Sequence, residues 1–301
     1  MVRCIGMDPK RLISLAGMPA MLLLVEIGAV LLALPLQQAG IQAFEDPGSA
    51  TNPILFLVIL LAFTAFMLLL IRFGRKSWIG IIIGISIFFT FIYIYSAIAN
   101  VLLSGDLLVL SAAVILSAIS IVILYRFPEW YVIDSLGILI AAGAASIFGI
   151  SLEVLPVIVL LCILAVYDAI SVYKTKHMIT LAEGVIDLKT PILFVIPKRR
   201  DYSFIREGIG TLGEGEERGA YVMGMGDLIM PSILVVSANV FLSGPRIGIF
   251  TVPALGAIAG SLAGIALLLF FVNKGKPQAG LPPINSGAII GFLLAWVLAM
   301  P

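Results

Sequence analysis

Nine runs of apolar residues, each long enough to cross the ~30 Å hydrocarbon core of a bilayer as a helix, divide this 301-residue chain. They cover residues 18–36, 53–71, 78–99, 107–125, 131–150, 154–173, 221–242, 248–272 and 282–300. A backbone in lipid must satisfy its own hydrogen bonds, which leaves helices or closed barrels. Runs this long, rich in Leu, Ile, Val and Ala, make helices. The expected fold is an all-α polytopic membrane protein with nine transmembrane helices. A composition of 61% hydrophobic and 12% charged residues excludes a soluble domain. With a net charge of +1 and no basic cluster among aromatics, nothing points to nucleic acid.

The loops set the orientation. With nine spans, 17 of the 18 Lys and Arg residues fall on one side of the membrane and Arg246 alone falls on the other. Positive charge marks the cytoplasmic side, so the N-terminus is expected in the cytoplasm and the C-terminus outside, in a cell-membrane protein. The first run exceeds the 7–15 residues of a signal-peptide core and is read as a retained span. The chain then divides into a six-helix part (1–173), a cytoplasmic loop (174–220) and a three-helix part (221–301). The loop carries eight basic and seven acidic residues and is expected to be mostly a solvated connector. Within it, the segment from Pro191 to Pro197 is too short to span and is expected to be extended, beside the membrane.

Two aspartates interrupt the apolar runs. Asp168 ends Ala165-Val166-Tyr167-Asp168, six residues before Lys174, and Asp227 ends Gly224-Met225-Gly226-Asp227, six residues after Tyr221. At ~1.5 Å per residue both lie roughly 9 Å from the cytoplasmic boundary, face to face if the two spans are antiparallel neighbours. A carboxylate in hydrocarbon is costly, by about 2.5–3.5 kcal/mol on insertion scales. Two brought together can share a proton and act as acid and base, as in aspartic proteases. Gly224 and Gly226 remove side chains where a partner helix or substrate would approach, and Pro231 leaves the carbonyl of residue 227 without its helical donor.

Other chemistry is harder to build. The single histidine, His177, lies in the loop, so a His-Glu-x-x-His zinc site is excluded and a Ser-His dyad in the membrane is disfavoured. Cys4 and Cys162 are far apart and read as small apolar fillers. Glu26 sits mid-span with no deep cation to pair it, and is expected either to hydrogen-bond in protonated form or to line a water path. Asp134, near the start of its span, reads as an interfacial anchor.

Tyr167-Asp168 and Gly224-Met225-Gly226-Asp227, in consecutive spans, resemble the Tyr-Asp and Gly-x-Gly-Asp motifs of the presenilin and signal peptide peptidase family. The nine spans and the long loop after the sixth extend the resemblance over essentially the whole chain. Short connections and the lack of accessory domains suggest a compact prokaryotic, archaeal homologue. The family also has a Pro-Ala-Leu motif opening its ninth span. A literal Pro253-Ala254-Leu255 falls at the outer end of span eight and reads as a chance match, so the motif's place is assigned to Gly280, Leu281 and Pro282.

The resemblance implies an intramembrane aspartyl protease without metal or organic cofactor. Asp168 and Asp227 would be catalytic, and Tyr167, Gly224, Met225, Gly226 and residues 280–282 would bind substrate or support the site. Substrates would be single-span or signal-peptide-like membrane segments, unwound and held as a strand by the loop and residues 280–282. An inside N-terminus matches the presenilins and implies substrates whose own N-terminus is outside. Accessory subunits and homo-oligomerisation stay open. Two other readings remain at this point: a channel or proton-coupled transporter using the buried acids as a relay, and a prepilin-type peptidase, which also uses Gly-x-Gly-Asp.

Overall fold

The computed structural model describes residues 9–73, 76–175, 193–199, 201–208, 219–272 and 279–300. Among them are nine long helices: α1 (Pro9–Gln38), α2 (Thr51–Arg72), α3 (Lys76–Leu102), α4 (Asp106–Arg126), α5 (Trp130–Ser151), α6 (Val154–Ile170), α7 (Met225–Phe241), α8 (Val252–Val272) and α9 (Leu281–Ala299). Eight of these are long and apolar enough to cross a membrane. The exception is α7, at 17 residues.

The start of α7 corrects the expected helical span 221–242. Residues Ala220–Gly224 form a strand, β2, paired antiparallel with β1 (Leu193–Pro197). A short apolar run with β-branched and aromatic members suits either structure by periodicity, and here pairing with β1 decides. Of the segment expected to be extended, Leu193–Pro197 forms this strand, and Pro191 and Ile192 lie outside the described residues. The described part of the loop is more folded than a solvated connector, since Phe194, Val195, Ile196, Tyr202, Phe204 and Ala220 are all buried. At the other end of α7, a small hairpin of β3 (Arg246–Ile247) and β4 (Phe250–Thr251) replaces the expected first turns of span eight. Asn239 holds it, its Oδ1 accepting the Thr251 amide at 2.8 Å.

Among the eight crossing helices α5 is the most buried and α2 the least. Small residues let neighbours approach α5. Gly28 of α1 faces Ala142, Gly143 receives Ile94 of α3, and Gly149 receives Val236 of α7. The tightest pair is α8 with α9. Gly256, Gly260 and Gly264, one per turn, meet Gly291, Gly287 and the Pro283–Ile284 backbone in turn. At Gly260 and Gly287 an added Cβ would run into the facing main chain. This small-residue packing lets van der Waals contact hold helices together where lipid offers no hydrophobic drive. It also fixes where α9 begins, and the site is built on that beginning.

Candidate active site

Asp168 is buried in the last turn of α6, just before a single π-helical turn, Ser171–Thr175. Such turns recur at functional sites. Asp227 is the third residue of α7, half-buried. The N-terminus of α9 brings the two together. A helix start presents amides without intrahelical partners and a partial positive charge. Here Pro282 and Pro283 remove two of those donors. The amide of Leu281 donates to Asp168 Oδ2 at 3.1 Å. Gly280 lies against the other carboxylate: a Cβ built on it would sit 2.6 Å from Asp227 Oδ2 and 3.1 Å from Oδ1. One dipeptide thus touches both aspartates.

The other expected site residues divide. Tyr167 is half-buried beside Asp168, and Met225 is buried at the start of α7. Gly224 ends β2, and a Cβ there would make only ordinary contact with Asp227, at 3.6 Å. Gly226 is exposed, with nothing within 4 Å of an added Cβ. Neither glycine accommodates a neighbouring helix in this structure, and Gly226 opens onto free space beside the aspartate. Pro231 is buried, and α7 continues through it to Phe241. Pro253, Ala254 and Leu255 open α8 beside the C-terminal half of α9, where Gly256 meets Gly291 and Ala295. They are at the opposite end of α9 from the aspartates. His177 lies outside the described residues.

Four further contacts escape a reading of the sequence. The Ala279 amide donates to Tyr173 Oη at 3.4 Å, just ahead of the Leu281 bond. One turn into α9, Asn285 Nδ2 donates to the carbonyl of Leu161 on α6 at 3.3 Å, a second tie between those helices. Asp134, expected at the interface, is instead buried, its Oδ1 accepting the Val195 amide at 2.9 Å. Glu26, fully buried, accepts a hydrogen bond from Ser261 Oγ of α8 at 2.6 Å. No signal at short range marks these pairs, whose partners lie up to 235 positions apart.

Residues 19–300 match the signal-peptide peptidase and presenilin aspartyl protease family, and the chain belongs to it. The solved structures it resembles include a presenilin family intramembrane aspartate protease in a C222 crystal form. That structure is 48% identical, with a TM-score of 0.72, covering 95% of this chain and 99% of the other. A presenilin family intramembrane aspartate protease in a P2 form is 49% identical, with a TM-score of 0.70, covering 94% and 97%. No curated protein matches the chain. The chain is a multi-pass membrane protein and an aspartic endopeptidase of this family. The channel, transporter and prepilin-peptidase readings find no support.

Proposed function

We propose that Asp168 and Asp227 are the catalytic pair, hydrolysing peptide bonds within transmembrane segments of membrane-protein substrates. The observation that carries this is the single backbone element, Gly280–Leu281, in contact with both carboxylates. One aspartate, ionised, takes a proton from water while the other, protonated, polarises the scissile carbonyl. The pair titrates as a unit, so the roles belong to the dyad. The exposed edge at Gly226 offers water and substrate a way to Asp227. The α9 amides supply fixed positive charge on the far side.

The described geometry suits a substrate held as a strand. Gly224 and Met225 join β2 to α7, so a chain added to β2 runs directly to Asp227. Tyr167 and Pro282 flank the pair. We further propose that α7 is the seventh of nine crossings, completed by the β2 segment, with the N-terminus cytoplasmic and the C-terminus outside. The supporting observation is the charge asymmetry of the loops. Substrates would then be single-span segments with an outside N-terminus.

The test is cleavage of a fluorescent single-span peptide by detergent-purified protein, beside Asp168→Ala and Asp227→Ala. The proposal expects either substitution to cut the rate by about 10²-fold or more with helical content unchanged. Activity surviving in both folded variants would overturn the assignment.

A further inference from the structure

Asp134 is a buried carboxylate that the hydrolytic step does not use. It lies in the second turn of α5 and is 4% exposed. Its Oδ1 accepts the amide of Val195, in the middle of β1. Its Oδ2 has no hydrogen-bond partner among the described residues.

The strand geometry gives that bond a direction. Successive amides of a strand point to opposite edges. Val195 faces Val222 across the ladder but sends its N–H away from β2, to Asp134. The ladder bonds therefore belong to the flanking pairs, Phe194 with Met223 and Ile196 with Tyr221. The Lys198 amide continues the same parity, donating to the Gly219 carbonyl at 2.9 Å. On the outer edge of β1 only Leu193 and Val195 have outward amides, since Pro197 has none. Asp134 occupies the central one.

A second contact ties the same stretch of α5 to the site. Gly137, three residues after Asp134, faces Phe194 and Met225: a Cβ there would lie 3.1 Å from the Phe194 ring and 3.7 Å from Met225 Cε. The α5 surface thus holds β1 and the first residue of α7 together. Because β2 passes into α7 without a break, any slip of β1 against β2 displaces the chain that ends in Asp227. A slip of one residue would put the Phe194 ring on the wrong face, so two residues is the allowed step.

We propose that Asp134 is a positioning residue for the cleavage reaction. By capping the outer edge of β1 at Val195 it fixes the register in which β1 holds β2, and so which bond of a substrate strand reaches the aspartates. This rests on Asp168 and Asp227 being the catalytic pair. It also directs an added strand to β2, because the opposite edge of the sheet is already taken by a side chain of the protein.

The experiment maps every cut in a single-span peptide by mass spectrometry, using full-length wild type, Asp134→Ala, Asp134→Asn and Val195→Pro. Asparagine keeps an oxygen to accept the amide and should cut at the wild-type bonds. Alanine removes the acceptor, and proline removes the donor without touching the ladder. Both should move a substantial share of product to bonds about two residues away, with kcat/KM lowered by about 10-fold. Val195→Pro keeps the test decisive if Asp134→Ala does not fold, because its N–H makes no bond to β2. Unmoved cuts in folded Asp134→Ala or in Val195→Pro would overturn the register role alone. A wild type that cuts nothing would overturn the catalytic assignment along with it.

Discussion

The amide of Leu281 and the carboxylate of Asp168 are 3.1 Å apart, across 113 positions of sequence. This bond joins the end of α6 to the beginning of α9, and the residue before it sits on Asp227. The first turn of α9 is thus an electrostatic saddle over both carboxylates. Its prolines contribute by what they lack, since a segment with two fewer amides leaves the Gly280 and Leu281 donors to serve Asp168.

Gly280→Ala should separate activity from stability. The atoms its methyl would meet are the Asp227 carboxylate, at 2.6–3.1 Å, the mobile end of a side chain that can rotate away. Thermal unfolding should change little, while peptide cleavage falls about 10-fold or more because Asp227 is turned from its partner. Full activity in this variant would remove the close approach of residue 280 from the account.

Gly260→Ala should do the reverse. There an added methyl meets the Gly287 carbonyl and the main chain at Gly291, neither of which can yield without parting α8 from α9. A loss of about 1–3 kcal/mol is expected from overpacking, read as a lower midpoint in detergent unfolding. An unchanged midpoint would show that the two helices separate freely.

Glu26→Leu should be a mild substitution. Ser261 Oγ also lies 2.8 Å from its own helix's Ile258 carbonyl, so its proton keeps an acceptor when Glu26 is gone. The lost interhelical bond should cost about 0.6 kcal/mol, and at most about 1.7, with Glu26→Gln closer to wild type. Loss of cleavage at intact stability would give Glu26 a part in the reaction.

Tyr202 makes alkaline stability informative. Its hydroxyl donates to the Gly208 carbonyl at 2.7 Å. Burial first, and then the carboxylates of Glu207, Glu129 and Asp134, push its phenol up from 10.0 to about 12. Folding therefore disfavours the phenolate. The contribution is whole below pH 10.0 and is lost as pH rises toward about 12. Wild type should exceed Tyr202→Phe by about 1 kcal/mol near neutrality, and the margin should shrink above pH 10. A margin constant with pH would contradict this.

Asp168 and Asp227 were legible as candidates for a physical reason, since charge is conspicuous in an apolar run, whereas residues 280–282 were picked out by the family resemblance and their depth. The same logic misled at Asp134, where nearness to a span's end suggested solvent and the structure supplies a buried strand amide. It failed at Tyr221–Gly224 because four apolar residues ahead of a helix have no period of their own, and only their β1 partners, 25 or more positions earlier, make them a strand. Asn285 carried no signal at all, since a lone amide in a membrane helix reads the same whether or not it has found a carbonyl. Motif chemistry was local. The scaffold that aims it is not.

The glycines shared by α8 and α9 bear on how the enzyme opens. With main chain on main chain over three successive turns, the two helices behave as a two-ply beam, stiffer than either ply and hard to delaminate. Gly280 and Leu281 are the tip of that beam. A substrate that levers the tip off Asp168 and Asp227 has to swing the whole beam, whereas α7, entered through a five-residue strand, offers a softer joint.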